Sequence, residues 1–256
     1  MFTRKNTNCL IKFLGPTQII CDEIILDIND KKTICILLML KIKKIASRDY
    51  IASKMWPNLS PERRLSNLRN HLYKVRQSYG AIIMTAGNNL TLSDGFNSDI
   101  DFIFSGQKMP INIAMEAHNK QFLNGEDFSD CPEVDVYIKR IAEDYKSEAI
   151  NAIYQELKKF KARREISQAI TLTRRILQIS PFSESAIRLL LRLYVANGDR
   201  ASAIDIYERF RNSLRLTYGI EPVQKTRDLH RTILIGDRFQ DEFTPLEGQQ
   251  PNDTII

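Results

Sequence analysis

Residues 60–80 can bury only one face, and that face dictates what must pack around it. Leu65, Leu68, Leu72, Val75 and Tyr79 recur at spacings of 3, 4, 3 and 4, the period of a helix with a single apolar stripe. Ser60, Pro61 and Glu62 supply a cap, a first-turn proline and a first-turn acid. Gly80 provides the stop. The opposite stripe holds Arg63, Asn67, Asn70, Lys74 and Gln77. All five can donate hydrogen bonds, and no carboxylate interrupts them. A helix exposed only to water mixes its charges, so this face points to a partner rich in acceptors. Arg69 and Arg76 lie nearer the buried edge. They either hold phosphates at the rim of a groove or tie the helix to its own domain. His71 sits beside the polar stripe, as a phosphate contact or as a half-exposed ring with no role.

The neighbouring segments supply the packing. Residues 31–41 form a first helix, with Ile34, Leu37 and Leu38 on one face. Ser47 caps a second helix over 48–56, and Pro57 ends it. Its apolar side chains are Ile51, Ala52, Met55 and Trp56, with Trp56 expected to close the core against the start of the third helix. Short strands precede these helices, near 10–14, 18–20 and 23–28, in a small antiparallel sheet. Two more, 82–85 and 90–92, flank the turn Ala86, Gly87, Asn88 and Asn89. Three helices with a basic third one, then a hairpin, are the order of a winged helix-turn-helix domain.

Charge follows the same segment. The chain of 256 residues has a net charge of +6. Residues 31–80 alone hold twelve basic and two acidic side chains, so the remainder is net negative. A basic field confined to one domain favours a polyanionic partner. The alternative is a solvated charged face.

Downstream, helical periodicity runs through 134–159, 162–178, 183–196, 200–216 and 223–235. Ala169 and Ile170 recur as Ala203 and Ile204, Leu172 as Ile206, Arg175 as Arg209 and Ile176 as Phe210. The shared offset of 34 residues is the period of tetratricopeptide helix pairs. Residues 105–135 are weakly patterned, with a candidate helix at 111–123. The expected fold class is mainly α: an N-terminal winged helix-turn-helix with a small β-sheet and wing over 9–98, then an all-α tetratricopeptide-like domain over 99–235. Residues 236–256 are expected to form a disordered tail.

Several functions are disfavoured. No apolar run reaches membrane-spanning length, and residues 1–9 do not read as a signal peptide. Cys9, Cys21, Cys35 and Cys131 form no CxxC pair, and His71, His118 and His230 are scattered. Free cysteines in a reducing cytoplasm are expected, with neither a disulfide scaffold nor a metal site. No phosphate-binding glycine loop, GxSxG or HExxH motif occurs. Asp99 and Asp101 read as solvated loop and cap residues. No enzyme activity, catalytic residue or cofactor is expected.

The stretches IKFLGPTQI, KKTICILLML and SRDYIASKMWPNLSPERRLSNLRNHLYKVRQSYG, with ILQISPFSESAIRLLLRLYVANGDRASAIDIYERFRNSLRLTYGIEP and QKTRDLHRTIL further on, resemble bacterial transcriptional regulators of the antibiotic-regulatory-protein type. That family joins a response-regulator-like winged helix to a bacterial transcriptional activation domain. The resemblance covers residues 9–235, and Asn67, Arg69, His71, Leu72 and Arg76 fit its third-helix pattern NLRxHLxxxR. It implies an activator that binds repeated sites on double-stranded promoter DNA, recruits RNA polymerase, and associates with itself as a homodimer or higher oligomer through the helical domain. The candidate DNA-contacting set is Arg63, Arg64, Asn67, Arg69, Asn70, His71, Lys74, Arg76, Gln77 and, in the wing, Asn88. No receiver or ATPase segment is recognised, so neither phosphorylation control nor nucleotide gating is expected. Lysines replace the family's usual glycine in 41–45, where they add phosphate contacts or only change the turn. The rival reading is a helical-repeat adaptor that binds a peptide or protein, its basic domain incidental.

Overall fold

The computed structural model describes residues 9–117, 119, 121–128 and 132–236. Its elements run β1 (Cys9–Lys12), β2 (Gln18–Cys21), β3 (Ile24–Asp27), α1 (Lys31–Lys43), β4 (Ile45–Ser47), α2 (Arg48–Met55), α3 (Pro61–Tyr79), β5 (Ile83–Ala86), β6 (Asn89–Leu92), β7 (Phe96–Ser98), α4 (Asp101–Ser105), α5 (Ile111–Glu116), α6 (Pro132–Ala162), α7 (Ile166–Ile179), α8 (Glu184–Ala196), α9 (Arg200–Tyr218) and α10 (Gln224–Ile235). The fold is mainly α, a winged helix joined to a helical domain. Two compact units result. One takes the chain up to Lys108 plus Lys120–Tyr145; the other takes Met109–Asn119 plus the chain from Lys146. The expected tail beyond Gly236, and also His118 and Cys131, lie outside the described residues. Among the described residues no helix is long and apolar enough to cross a membrane.

The first unit carries two small sheets, ordered β3-β2-β1-β7 and β4-β6-β5. The first is not purely antiparallel, because β7 joins β1 in parallel, Cys9 opposite Phe96. Cys9 and Cys21 stand opposite each other on β1 and β2, with Cα atoms 4.3 Å apart, and form a disulfide. This corrects the expectation of free cysteines for these two. Strand register alone brings the two sulfurs together across 12 residues of sequence, and no local motif marks them. Cys35 is buried in α1.

Asp99 is the second correction. It is no solvated loop residue: its two carboxylate oxygens accept from the backbone N–H groups of Phe13 and Leu14, at 2.8 and 2.9 Å. Burial raises its pKa, and those two hydrogen bonds oppose the rise in part. A raised folded pKa means that the native state holds the proton more tightly than the unfolded chain does. The stability this contributes is fully present below the unfolded value, about 3.9, and is lost as pH rises through the folded value. Wild-type protein is therefore expected to gain stability relative to Asp99→Asn as pH falls from 7 to 4, in thermal melts run pairwise at each pH. A shift in the opposite sense would mean that the hydrogen bonds outweigh burial.

Helix α1 also departs from its expected one-sided pattern. Every residue from Thr33 to Leu40 is buried, because this run has no charged side chain and elements cover it on several sides. Asp30 caps it by accepting from the Thr33 N–H at 2.9 Å. Its last turn ends at Lys44, which adopts φ +63. A glycine would take this conformation without cost, so the lysine here serves a turn. Lys41 pairs with Asp101 at 2.7 Å, and is thus committed within its own unit. Ser47 caps α2 as expected, accepting from the Tyr50 N–H at 3.1 Å.

In the second unit, α8 packs against α7, α9 and α10, and α9 against α10. Two of the five positions related by the 34-residue repeat keep their burial, while Ile204 and Ile206 are half-buried where Ile170 and Leu172 are buried. Ala169 and Ala203 are both buried, as are Ile176 and Phe210. The expected helix at 111–123 is shorter and comprises only α5, Ile111–Glu116. Leu123–Gly125 form a separate 3-10 turn.

Candidate nucleic-acid interface

Helix α3 buries Leu68 and Val75 fully, with Leu65, Leu72 and Tyr79 half-buried around them. That fixes the rotation of the helix, and the donor stripe turns outward. Arg63, Asn70, Lys74 and Gln77 are exposed and Asn67 is half-buried. Arg69 and Arg76 are exposed as well, beside the stripe rather than folded back into the domain. The helix therefore presents seven donor side chains on one continuous surface. Its single acid, Glu62, lies in the first turn, and hydrogen bonds from its backbone N–H and from Ser60 hold its carboxyl below the usual range. Ser60 occupies the cap position but makes no side-chain bond to the helix backbone.

Three members of the candidate set are not on that surface. His71 points into the domain: its Nε2 lies 3.2 Å from Asp30 and 3.1 Å from the Thr33 hydroxyl. Burial lowers its pKa, while Asp30 pulls it upward and Lys32 and Lys74 push it down. Trp56 meets this ring edge-on at 6.1 Å, in the middle of α3 rather than against its start. Arg64 donates to the Pro57 carbonyl and ties α3 to the loop before it. Asn88 donates to Asp49 at 2.8 Å, and its carbonyl accepts from the Arg48 N–H at 2.8 Å.

The wing is built as its turn chemistry requires. Strands β5 and β6 close on Gly87 and Asn88, with Ala86 opposite Asn89. Gly87 takes φ +59, and a positive φ at the first central residue belongs to glycine. Strand β4 adds to the far edge of β6, which fixes the hairpin against the start of α2.

Further cations that sequence inspection left outside the candidate set gather at the first two helices. Lys43 lies over the Tyr50 ring at 4.6 Å and Lys54 over the same ring at 5.5 Å. A lysine late in α1, another in α2 and one aromatic between them were visible in the sequence, but only the chain reversal brings them together.

Residues 121–234 match the bacterial transcriptional activator domain. No curated relative matches the chain. The fold is similar to that of Mycobacterium tuberculosis EmbR, solved in complex with a low-affinity phosphopeptide, with a TM-score of 0.57 and 19% identity over 91% of this chain. The match spans 66% of that chain, just under two thirds of its length. Residues 121–234 thus carry the signature of a bacterial transcriptional activator domain, and the shared fold agrees with a winged helix followed by a helical domain.

Proposed function

We propose that this chain is a sequence-specific, DNA-binding activator of transcription. The observation that carries the reading is the outward, donor-only face of α3. An α-helix fits the major groove of B-DNA, where Asn and Arg can read base edges while Lys and Arg pair with phosphates. The wing extends toward the adjacent backbone. The helical domain, in this reading, associates with a second copy and recruits RNA polymerase, as its family implies. One small module binds DNA weakly, so two modules on repeated sites give usable affinity.

Selection of bound duplexes from a random pool tests the reading directly. The expected result is a short element repeated at a fixed spacing, which also reports the arrangement of copies. Binding should be steeply salt-dependent. If about four of the exposed cations neutralise phosphates, affinity falls roughly a hundredfold between 50 and 200 mM salt. A mobility shift measured over that range checks it. Absent or salt-insensitive binding would favour the adaptor reading instead.

A further inference from the structure

Tyr73 is 66% exposed, and it is the one large apolar side chain that α3 presents to solvent. Helical spacing places it beside Asn70 and Gln77 on one flank and Arg69 and Arg76 on the other. Among the described residues its ring has no hydrogen-bond or aromatic partner. Isolated exposed apolar residues are ordinary on a surface. This one is unusual for its setting, since every neighbour on that face is a hydrogen-bond donor.

The donors and the ring recognise different things. Arg, Lys, Asn and Gln find acceptors on guanine, adenine and phosphate. None of them gains from the C5-methyl group of thymine, which only an apolar surface can recognise. We propose that Tyr73 is a specificity-determining residue that reads a thymine methyl in the major groove, a proposal that rests on the DNA-binding reading of α3. The ring becomes buried on entering the groove, and its two side-chain torsions cost little entropy to order. A backbone contact would run through the phenol hydroxyl, which Tyr73→Phe removes. The phenol oxygen is not required for methyl contact, so phenylalanine should serve equally.

A cycle that alters both protein and DNA isolates the contact. The full chain, Tyr73→Ala and Tyr73→Phe are each put through random-pool selection. Each thymine of the wild-type element is then replaced singly by deoxyuridine, which lacks only the methyl. At one thymine, deoxyuridine is expected to weaken wild type and Tyr73→Phe about fourfold, and to leave Tyr73→Ala unaffected. The preference for thymine at that position should vanish from the pool selected by Tyr73→Ala. The inference is overturned if Tyr73→Ala keeps the wild-type preference, or if deoxyuridine at every thymine costs both proteins equally. If the wild type selects no element, the DNA-binding reading fails and Tyr73 falls with it. Retained specificity in Tyr73→Ala sinks the tyrosine assignment alone. Because Tyr73 is largely exposed, circular dichroism of the variants is expected to match wild type.

Discussion

Arg63→Ala combined with Asn67→Ala is expected to abolish binding to the selected element while the protein stays folded. Both side chains lie in the first half of α3, and Arg63 is exposed. A recognition helix offers its N-terminal residues to base edges. A well-formed bidentate contact discriminates by about 1–3 kcal/mol, so losing two should weaken specific binding roughly a hundredfold or more. Non-specific affinity should fall far less, because Arg69, Lys74 and Arg76 remain. The burial that holds α3 in place comes from Leu68 and Val75, and neither substitution touches it. Mobility shifts on the selected element and on a scrambled duplex would separate the two effects, with circular dichroism as the control. Unchanged affinity for the selected duplex would remove α3 as the reading helix.

The legible parts of this molecule are those whose signal is local. The apolar period of α3, its proline start and its glycine stop lie within one stretch, and the helix forms at Pro61–Tyr79. The hairpin was likewise visible, because a Gly-Asn turn between short apolar runs needs no distant partner. What stayed hidden depends on residues far apart in sequence. β7 is three residues long and pairs with a strand near the start of the described chain, Cys9 opposite Phe96, a separation much like the 86 positions across which Asp99 accepts from Phe13. Cys9 and Cys21 become partners only through the β1–β2 register. His71 and Asn88 have the chemistry of DNA contacts, but Asp30 and Asp49 claim their polar atoms, and helical or turn spacing says nothing about such captures. Tyr73 is the opposite case. The spacing that put Asn70 and Gln77 outside put Tyr73 beside them, so its signal was present in the sequence.

The second unit has its own polar weak point, and Glu184→Ala is expected to destabilise it by about 3–5 kcal/mol. Glu184 opens α8 with its side chain 6% exposed. One carboxylate oxygen accepts from the Val223 N–H at 2.8 Å, at the position where the chain enters α10. The other lies 3.9 Å from the Arg188 guanidinium, which donates in turn to the fully buried Thr226 hydroxyl at 2.9 Å. This group fastens the start of α10 to α8, and so helps seat Leu229 and Ile233, both buried. Alanine would strand the Val223 N–H and leave a nearly buried cation without its anion. An unmatched charge is costlier than a lost pair, which is why removing one partner weighs so heavily. Glu184→Gln keeps an acceptor for Val223 but leaves Arg188 equally without its anion, so its loss should fall short of the alanine value only by the retained hydrogen bond, about 1 kcal/mol. Urea unfolding of the full chain gives the ordering. Hydrogen exchange places the effect, with faster exchange expected along α10 in the alanine variant and little change in α3. Equal midpoints for wild type and Glu184→Ala would show that water replaces the carboxylate at no cost, and that apolar packing of Leu229 and Ile233 alone seats the helix.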